Sequence, residues 1–118
     1  DQGIGGEVAA RVGSALAQVA GGGQVAGRQA LVITHLPQIA ACADRHLVVA
    51  KGARGGIATS DVRVVEGGER AREIARMLGD HDSATALRHA EELLRTARSS
   101  VASRSETRSR PVPDRPRR

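Results

Sequence analysis

The chain has 118 residues, no Phe, Tyr or Trp, and a formal net charge of +5. This length allows one small domain, and no stretch approaches the roughly 20 apolar residues of a membrane-spanning helix, so we expect no membrane association. The charge is concentrated at one end, because residues 99–118 contain six arginines and two acidic residues while residues 1–98 are nearly neutral. Without aromatic side chains the core buries little area, which predicts a lobe that needs a partner lobe.

The single cysteine and the first residues together predict a cytoplasmic protein. Cys42 has no second cysteine with which to form an internal disulfide, which agrees with a reducing compartment. The glycine-rich residues 1–6 lack the basic and then apolar layout of a signal peptide. We therefore expect a cytoplasmic location.

The glycine-rich residues 1–6 also predict a tight loop that leads into a helix. Glycine lets the backbone approach a phosphate group or another chain closely, although a flexible connection is the simpler interpretation. Apolar residues then recur at helical spacing from Val8 to Val19. The glycines at 21–23 should end this helix.

Residues 30–43 contain the strongest candidate for a functional side chain. The apolar run 30–34 suits a strand buried on both faces of a parallel sheet, and Pro37 fits the first turn of a helix over about 36–43. His35 should then lie at the carboxyl end of a central strand, where α/β sheets bind ligands. Beside Thr34, its imidazole could hydrogen-bond a terminal phosphate or the water that attacks it. The alternative is a histidine that serves packing alone.

Residues 46–65 predict an antiparallel β-hairpin. The apolar run within residues 46–51 indicates a strand buried on both faces, and the alternating, β-branched residues 57–65 indicate a strand at or near a sheet edge. A glycine-containing loop at 52–56 joins them. We expect this hairpin and the strand at 30–34 to form part of an α/β sheet whose earlier strands are absent from this chain.

Two amphipathic helices and a polar tail follow the hairpin. Regular apolar spacing marks the first helix, which should end at Gly79. The second helix should begin after an N-cap at Asp82 or Ser83. The Ser-, Arg- and Pro-rich residues 99–118 have almost no apolar side chains, so we expect them to be disordered.

Other functional patterns are weak. His35, Cys42 and His46 match no usual zinc-ligand spacing, so we expect no metal site. The chain contains neither a Gly-x-Ser-x-Gly nucleophile elbow nor a GxxxxGK[ST] phosphate-binding loop. The basic tail could neutralise nucleic-acid phosphates, but it has no aromatic side chains to stack on bases. A solvated chain end is its simpler interpretation.

Five segments together resemble one bacterial protein family. They are Asp1-Gln2-Gly3-Ile4-Gly5-Gly6, the run Leu31 to Ala40 (LVITHLPQIA), the run Asp44 to Lys51, the run Glu69 to Gly79, and Ala90 to Leu94. Over about residues 1–97 the chain resembles the C-terminal end of RecN, a family of DNA repair proteins related to the SMC and ABC ATPases. The Thr-His-Leu-Pro-Gln run at 34–38 is the most specific part of this resemblance.

The resemblance implies a fold and an activity. Residues 1–98 would form the C-terminal α/β lobe of an ABC/SMC-type ATPase head with the P-loop NTPase fold, and 99–118 its disordered tail. The N-terminal half of the head would be a partner, and two heads would form a homodimer around ATP. ATP and Mg²⁺ would be gripped mainly by residues absent from this chain. The full-length protein would act on DNA in recombinational repair of double-strand breaks, in the cytoplasm at the nucleoid.

The resemblance also implies roles for individual residues. Residues 1–6 would match the D-loop, which crosses the interface between two nucleotide-bound heads, and His35 would match the catalytic switch histidine, which senses the γ-phosphate. SMC relatives have an acidic residue near the position of Gly5. Because this chain has glycine there, no carboxylate role is assigned to that position. The implied cofactor-binding residues are Asp1, Gly3, Gly5, Gly6, Thr34 and His35.

Two rival interpretations remain open. The chain could be the head lobe of another SMC or ABC ATPase, such as a RecF-like or transporter protein. It could also be a truncated, non-catalytic binding module. Because the phosphate-binding loop is absent, we expect no ATPase activity from this chain alone.

Overall fold

The computed structural model of the chain combines helices with a two-stranded sheet. It describes residues 2–21, 28–80 and 82–108, and the side chains of residues 5–21, 28–80 and 82–103. Within these residues the elements, in chain order, are α1 (Gln2–Val19), α2 (Pro37–Ala40), β1 (His46–Arg54), β2 (Ile57–Val65), α3 (Gly67–Met77) and α4 (Ala84–Arg108). The α/β class agrees with the sequence prediction.

The core of the described residues lies between α2, α3 and α4. Ile74 and Ala75 of α3 and Ala90 of α4 are completely buried, because they lie on the apolar stripes of their helices. Most of the core side chains are alanines, so the helices approach closely but bury little apolar area per residue. The buried cluster consists of Ala40, Ala41, Ile74, Ala75, Ala90 and Ala97.

Local signals set the ends of α3 and α4. Gly79 follows α3 in the left-handed region with φ of +118°, a conformation that favours glycine. Its N–H donates to the carbonyl oxygen of Arg76 at 3.0 Å. The Ser83 hydroxyl accepts a hydrogen bond from the N–H of Ala86 at 3.3 Å, which is the arrangement of an N-cap. Both predicted boundaries are confirmed, with Ser83 as the cap.

β1 and β2 form the predicted antiparallel hairpin, in register from His46 opposite Val65 to Arg54 opposite Ile57. A Gly-Gly turn at 55–56, with φ of +58° and +79°, joins the strands. The prediction that β1 is buried on both faces is wrong, because His46 is the only buried residue in this strand. The face opposite His46 and Val65 presents exposed apolar side chains, namely Leu47, Val49, Val62 and Val64. We call these four residues the hairpin outer face.

The predicted strand at 30–34 is not formed. These residues have no regular secondary structure, and Leu31 and Ile33 are 82% and 97% exposed. A buried parallel strand needs a neighbouring strand on each side. The sheet of the described residues contains β1 and β2, which pair with each other, so this apolar run has no ladder to join.

Both ends of the chain also differ from prediction. The predicted glycine loop is helical from Gln2 onward, and Asp1 lies outside the described residues. The prediction of disorder from residue 99 is wrong over 99–108, where α4 continues, because this stretch contains no Pro or Gly to stop a helix. Residues 109–118 lie outside the described residues. Among the described helices, none has both the length and the hydrophobicity to cross a bilayer.

Candidate functional site

The site is built around the close crossing of α1 and α2. A Cβ atom added at Gly13 would lie 3.0 Å from Sγ of Cys42 and 3.1 Å from Cα of Ile39. Such distances are shorter than ordinary carbon contacts, so glycine at position 13 lets the two backbones approach this closely. Two helical turns earlier, a Cβ atom at Gly6 would lie 3.3 Å from Nε2 of Gln38. The crossing therefore holds the glycine-rich start of α1 beside the Thr-His-Leu-Pro-Gln run.

The loop before α2 presents His35 to solvent. The Thr34 hydroxyl oxygen accepts a hydrogen bond from the N–H of Leu36 at 3.0 Å, which closes a small turn around His35. Leu36 is extended, with φ of −94° and ψ of 116°, as expected for a residue before proline. Pro37 then begins α2 as predicted. The exposed imidazole of His35 is thus free to meet a ligand that approaches this edge.

The carboxyl end of α2 is held by an arginine that the sequence analysis did not single out. Nη2 of Arg70, in α3, donates to the carbonyl oxygens of Ala40, Ala41 and Ala43 at 3.3, 3.4 and 2.6 Å. The last carbonyls of a helix have no partner within it, and a guanidinium both satisfies them and interacts favourably with the helix dipole. The available signal was its spacing, because Arg70 lies one turn before Ile74 on the buried side of α3.

Burial changes the acidity of the groups around this contact. Desolvation lowers the pKa of Arg70, and it also lowers the pKa of His46, where the Arg70 charge acts in the same direction and Glu73 opposes it. Burial raises the pKa of the Cys42 thiol, which donates to the carbonyl oxygen of Gln38 at 3.4 Å. A protonated, partly buried thiol is a poor nucleophile, so Cys42 serves packing at the helix crossing.

The structure brings together some of the predicted site residues. Thr34 and His35 are adjacent in the loop, and Gly6 lies beside Gln38, which follows them in sequence. Gly5 has open space where a side chain would begin. Gly3 lies within α1, whereas Asp1 lies outside the described residues. A cavity of about 220 Å³ lies between α1, residues 28–32 and α2, but His35 does not line it. In the part of the chain that the structure describes, no His, Cys, Asp or Glu cluster could hold a metal ion.

The comparisons with known proteins point to one kind of relative. No protein-family model matches the chain. It is 52% identical over 99 residues to the DNA repair protein RecN of Streptomyces coelicolor, 48% over 94 residues to that of Deinococcus radiodurans, and 40% over 100 residues to that of Halalkalibacterium halodurans. These alignments cover 80–84% of this chain and 16–17% of each relative. The chain thus spans about one sixth of the length of the curated relatives that it matches.

Proposed function

Because this chain belongs to the RecN family over the segment that it shares with these relatives, we propose that it acts in DNA repair as the C-terminal lobe of an ATP-hydrolysing head. The observation that carries this proposal is the identity of 52% over 99 residues with a DNA repair protein, a stretch long enough to include the loop with His35. The position of that loop supports a site there, since His35 is exposed next to the α1–α2 crossing. The cytoplasm is the proposed location.

In this proposal His35 is the catalytic residue. Its imidazole orients the γ-phosphate of ATP and the attacking water. Enzymes catalyse phosphoryl transfer mainly by such positioning and by electrostatic stabilisation. Thr34 supports this role, because its hydroxyl closes the turn that presents His35. ATP and Mg²⁺ are held mainly by residues that this chain does not contain, since it has no phosphate-binding loop.

The start of α1 supplies the contact between two heads in the proposed homodimer. Asp1, Gly3, Gly5 and Gly6 form this contact, and the open space around Gly5 supports close approach of a second chain. Closure of two heads around ATP brings this segment to the nucleotide of the opposite head. In this proposal DNA is a partner of the full-length protein.

The N-terminal half of the head is the proposed partner within the same protein. Exposed apolar patches mark interaction surfaces, and this chain exposes Leu31, Ile33 and the hairpin outer face. A partner strand beside residues 30–34 would give this run the ladder that it lacks here. The length of the relatives, about six times that of this chain, supports such a partner.

The test of His35 uses a chimera in which this chain replaces the matching segment of the full-length S. coelicolor protein. His35→Ala should lower the kcat of ATP hydrolysis by ~10²-fold or more, because a positioned hydrogen-bonding group is lost. Nucleotide affinity should change much less, and His35→Gln should retain part of the rate. His89→Ala is the matched control, since His89 is an exposed histidine on α4.

Steady-state ATPase rates and nucleotide binding measured on the same preparations decide the outcome. A folded His35→Ala protein with unchanged kcat would leave His35 without a catalytic role. A full-length protein with His35 intact that folds, binds DNA and never hydrolyses ATP would favour a non-catalytic binding module.

A further inference from the structure

The helix that follows His35 is too short to hold its own position. α2 is four residues long, and it is closed by backbone hydrogen bonds from Ala40 to Leu36 at 3.1 Å and from Ala41 to Pro37 at 2.9 Å. A single turn of helix is unstable in isolation, because its nucleation costs more than its few hydrogen bonds return. Contacts from neighbouring elements must therefore fix α2 in place.

Two elements make these contacts. On one side α1 packs against α2 at Gly13. On the other side the half-buried Arg70 reaches three carbonyl oxygens at the carboxyl end of α2. The backbone of Arg70 is fixed by the core, since Ile74 and Ala75 in the following turn of α3 are completely buried. The guanidinium thus connects the core to the turn that begins two residues after His35.

We propose that Arg70 is a positioning residue for His35, because it clamps the end of α2 and so fixes the loop in front of it. This inference rests on the proposed catalytic role of His35. Arg70 touches no reacting group itself. A displacement of about 1 Å at a catalytic group can cost as much as ~10²-fold in rate, so loosening α2 should lower turnover even though His35 is intact.

The test is a double-mutant cycle in the same full-length protein. Arg70→Ala should lower kcat by ~10-fold while nucleotide affinity stays nearly constant. In the His35→Ala background the same change should have almost no further effect, because Arg70 acts through His35. Arg72→Ala is the matched control, since Arg72 is an exposed arginine on the same helix, and its kcat should equal that of the unsubstituted protein.

A second measurement reports the clamp without reference to activity. Hydrogen exchange of the backbone amides 39–43 should become faster in Arg70→Ala and remain unchanged in His35→Ala. Arg70→Lys should restore part of the protection and part of kcat, because it keeps a positive charge and N–H donors but loses the planar, pre-organised guanidinium. If Arg70→Ala does not fold, Arg70→Lys replaces it in both the kinetic and the hydrogen-exchange measurements.

The outcomes separate the two proposals. If His35→Ala lowers kcat while Arg70→Ala and Arg70→Lys do not, the positioning role is wrong and the catalytic role stands. Rate losses that multiply in the double variant would also overturn the positioning role, because the rate effects of two independent substitutions multiply. If His35→Ala leaves kcat unchanged, the proposed catalytic role of His35 fails and the positioning role fails with it, even where faster exchange still shows that Arg70 holds α2 in place.

Discussion

The α3–α4 helix pair and the β1–β2 hairpin bury their apolar residues to very different extents. Ile74, on α3, is completely buried, whereas Ile57, the first residue of β2, is 70% exposed. An amphipathic helix is satisfied by one neighbour that covers its apolar stripe. A strand needs partners beside it and a layer on each apolar face. The α3–α4 pair therefore buries its central apolar side chains within this chain, whereas the hairpin outer face and residues 31–33 stay exposed.

The largest expected effect is on the helix pair. Ile74→Ala should lower the free energy of unfolding of the helical part by roughly 2–5 kcal/mol, because it removes a fully buried side chain from a core made mostly of alanines. Ile57→Ala is the matched control, and its exposed position predicts a change within about 0.5 kcal/mol. Urea unfolding of the chain followed by circular dichroism at the helical band measures both. Equal shifts in the two variants would contradict the difference between the regions.

A smaller effect concerns the hairpin in the absence of a partner. An isolated two-stranded hairpin is only marginally stable in water, so the backbone amides of β1 and β2 should exchange with solvent roughly tenfold or more faster than those of α3. Hydrogen exchange of the chain alone, read by mass spectrometry, tests this. In the full-length protein the difference should shrink, because the proposed N-terminal half of the head would then cover the hairpin outer face. Equal protection of the hairpin in both contexts would show that this face needs no partner.

The smallest effect lies where the two regions meet, at His46. Its imidazole is buried at the base of the hairpin, and its pKa is lowered by burial and by Arg70. Protons therefore bind the unfolded chain more readily, so the contribution of His46 to stability is complete above its ordinary pKa of about 6.5 and is lost as the pH falls towards the lower folded value. Comparing urea midpoints at pH 7.5 and pH 5.5 for the natural chain and His46→Gln measures this. A drop of the same size in both would assign the pH dependence to other groups.

Elements specified by local chemistry could be predicted from the sequence. The hairpin at 46–65, the helix that ends at Gly79 and the cap at Ser83 all depend on turn glycines, β-branched runs and a hydroxyl group near its own backbone. The position of Pro37 at the start of α2 belongs to this group as well. The resemblance to RecN, carried by a contiguous run at 34–38, is confirmed by the comparisons.

Elements whose state depends on distant residues could not be predicted in the same way. The apolar run 30–34 has the composition of a central strand, but without neighbouring strands it stays exposed. The glycines before residue 7 have a low helix propensity, yet α1 begins at Gln2. The continuation of α4 over 99–108 shows that a polar composition does not exclude a helix when no Pro or Gly interrupts it.

The candidate site shows the same division. By itself the sequence determined that His35 precedes a proline-initiated helix, because those signals lie within a few residues of one another. Only the tertiary structure decided that α2 packs against Gly13 of α1. It also decided that Arg70, some thirty residues away, donates to the carbonyl oxygens at the carboxyl end of α2. Local propensities act through the backbone of adjacent residues, whereas these contacts exist only after the helices have packed. A periodic pattern indicates which face of α3 is buried, but it does not specify which carbonyl oxygens that face will meet.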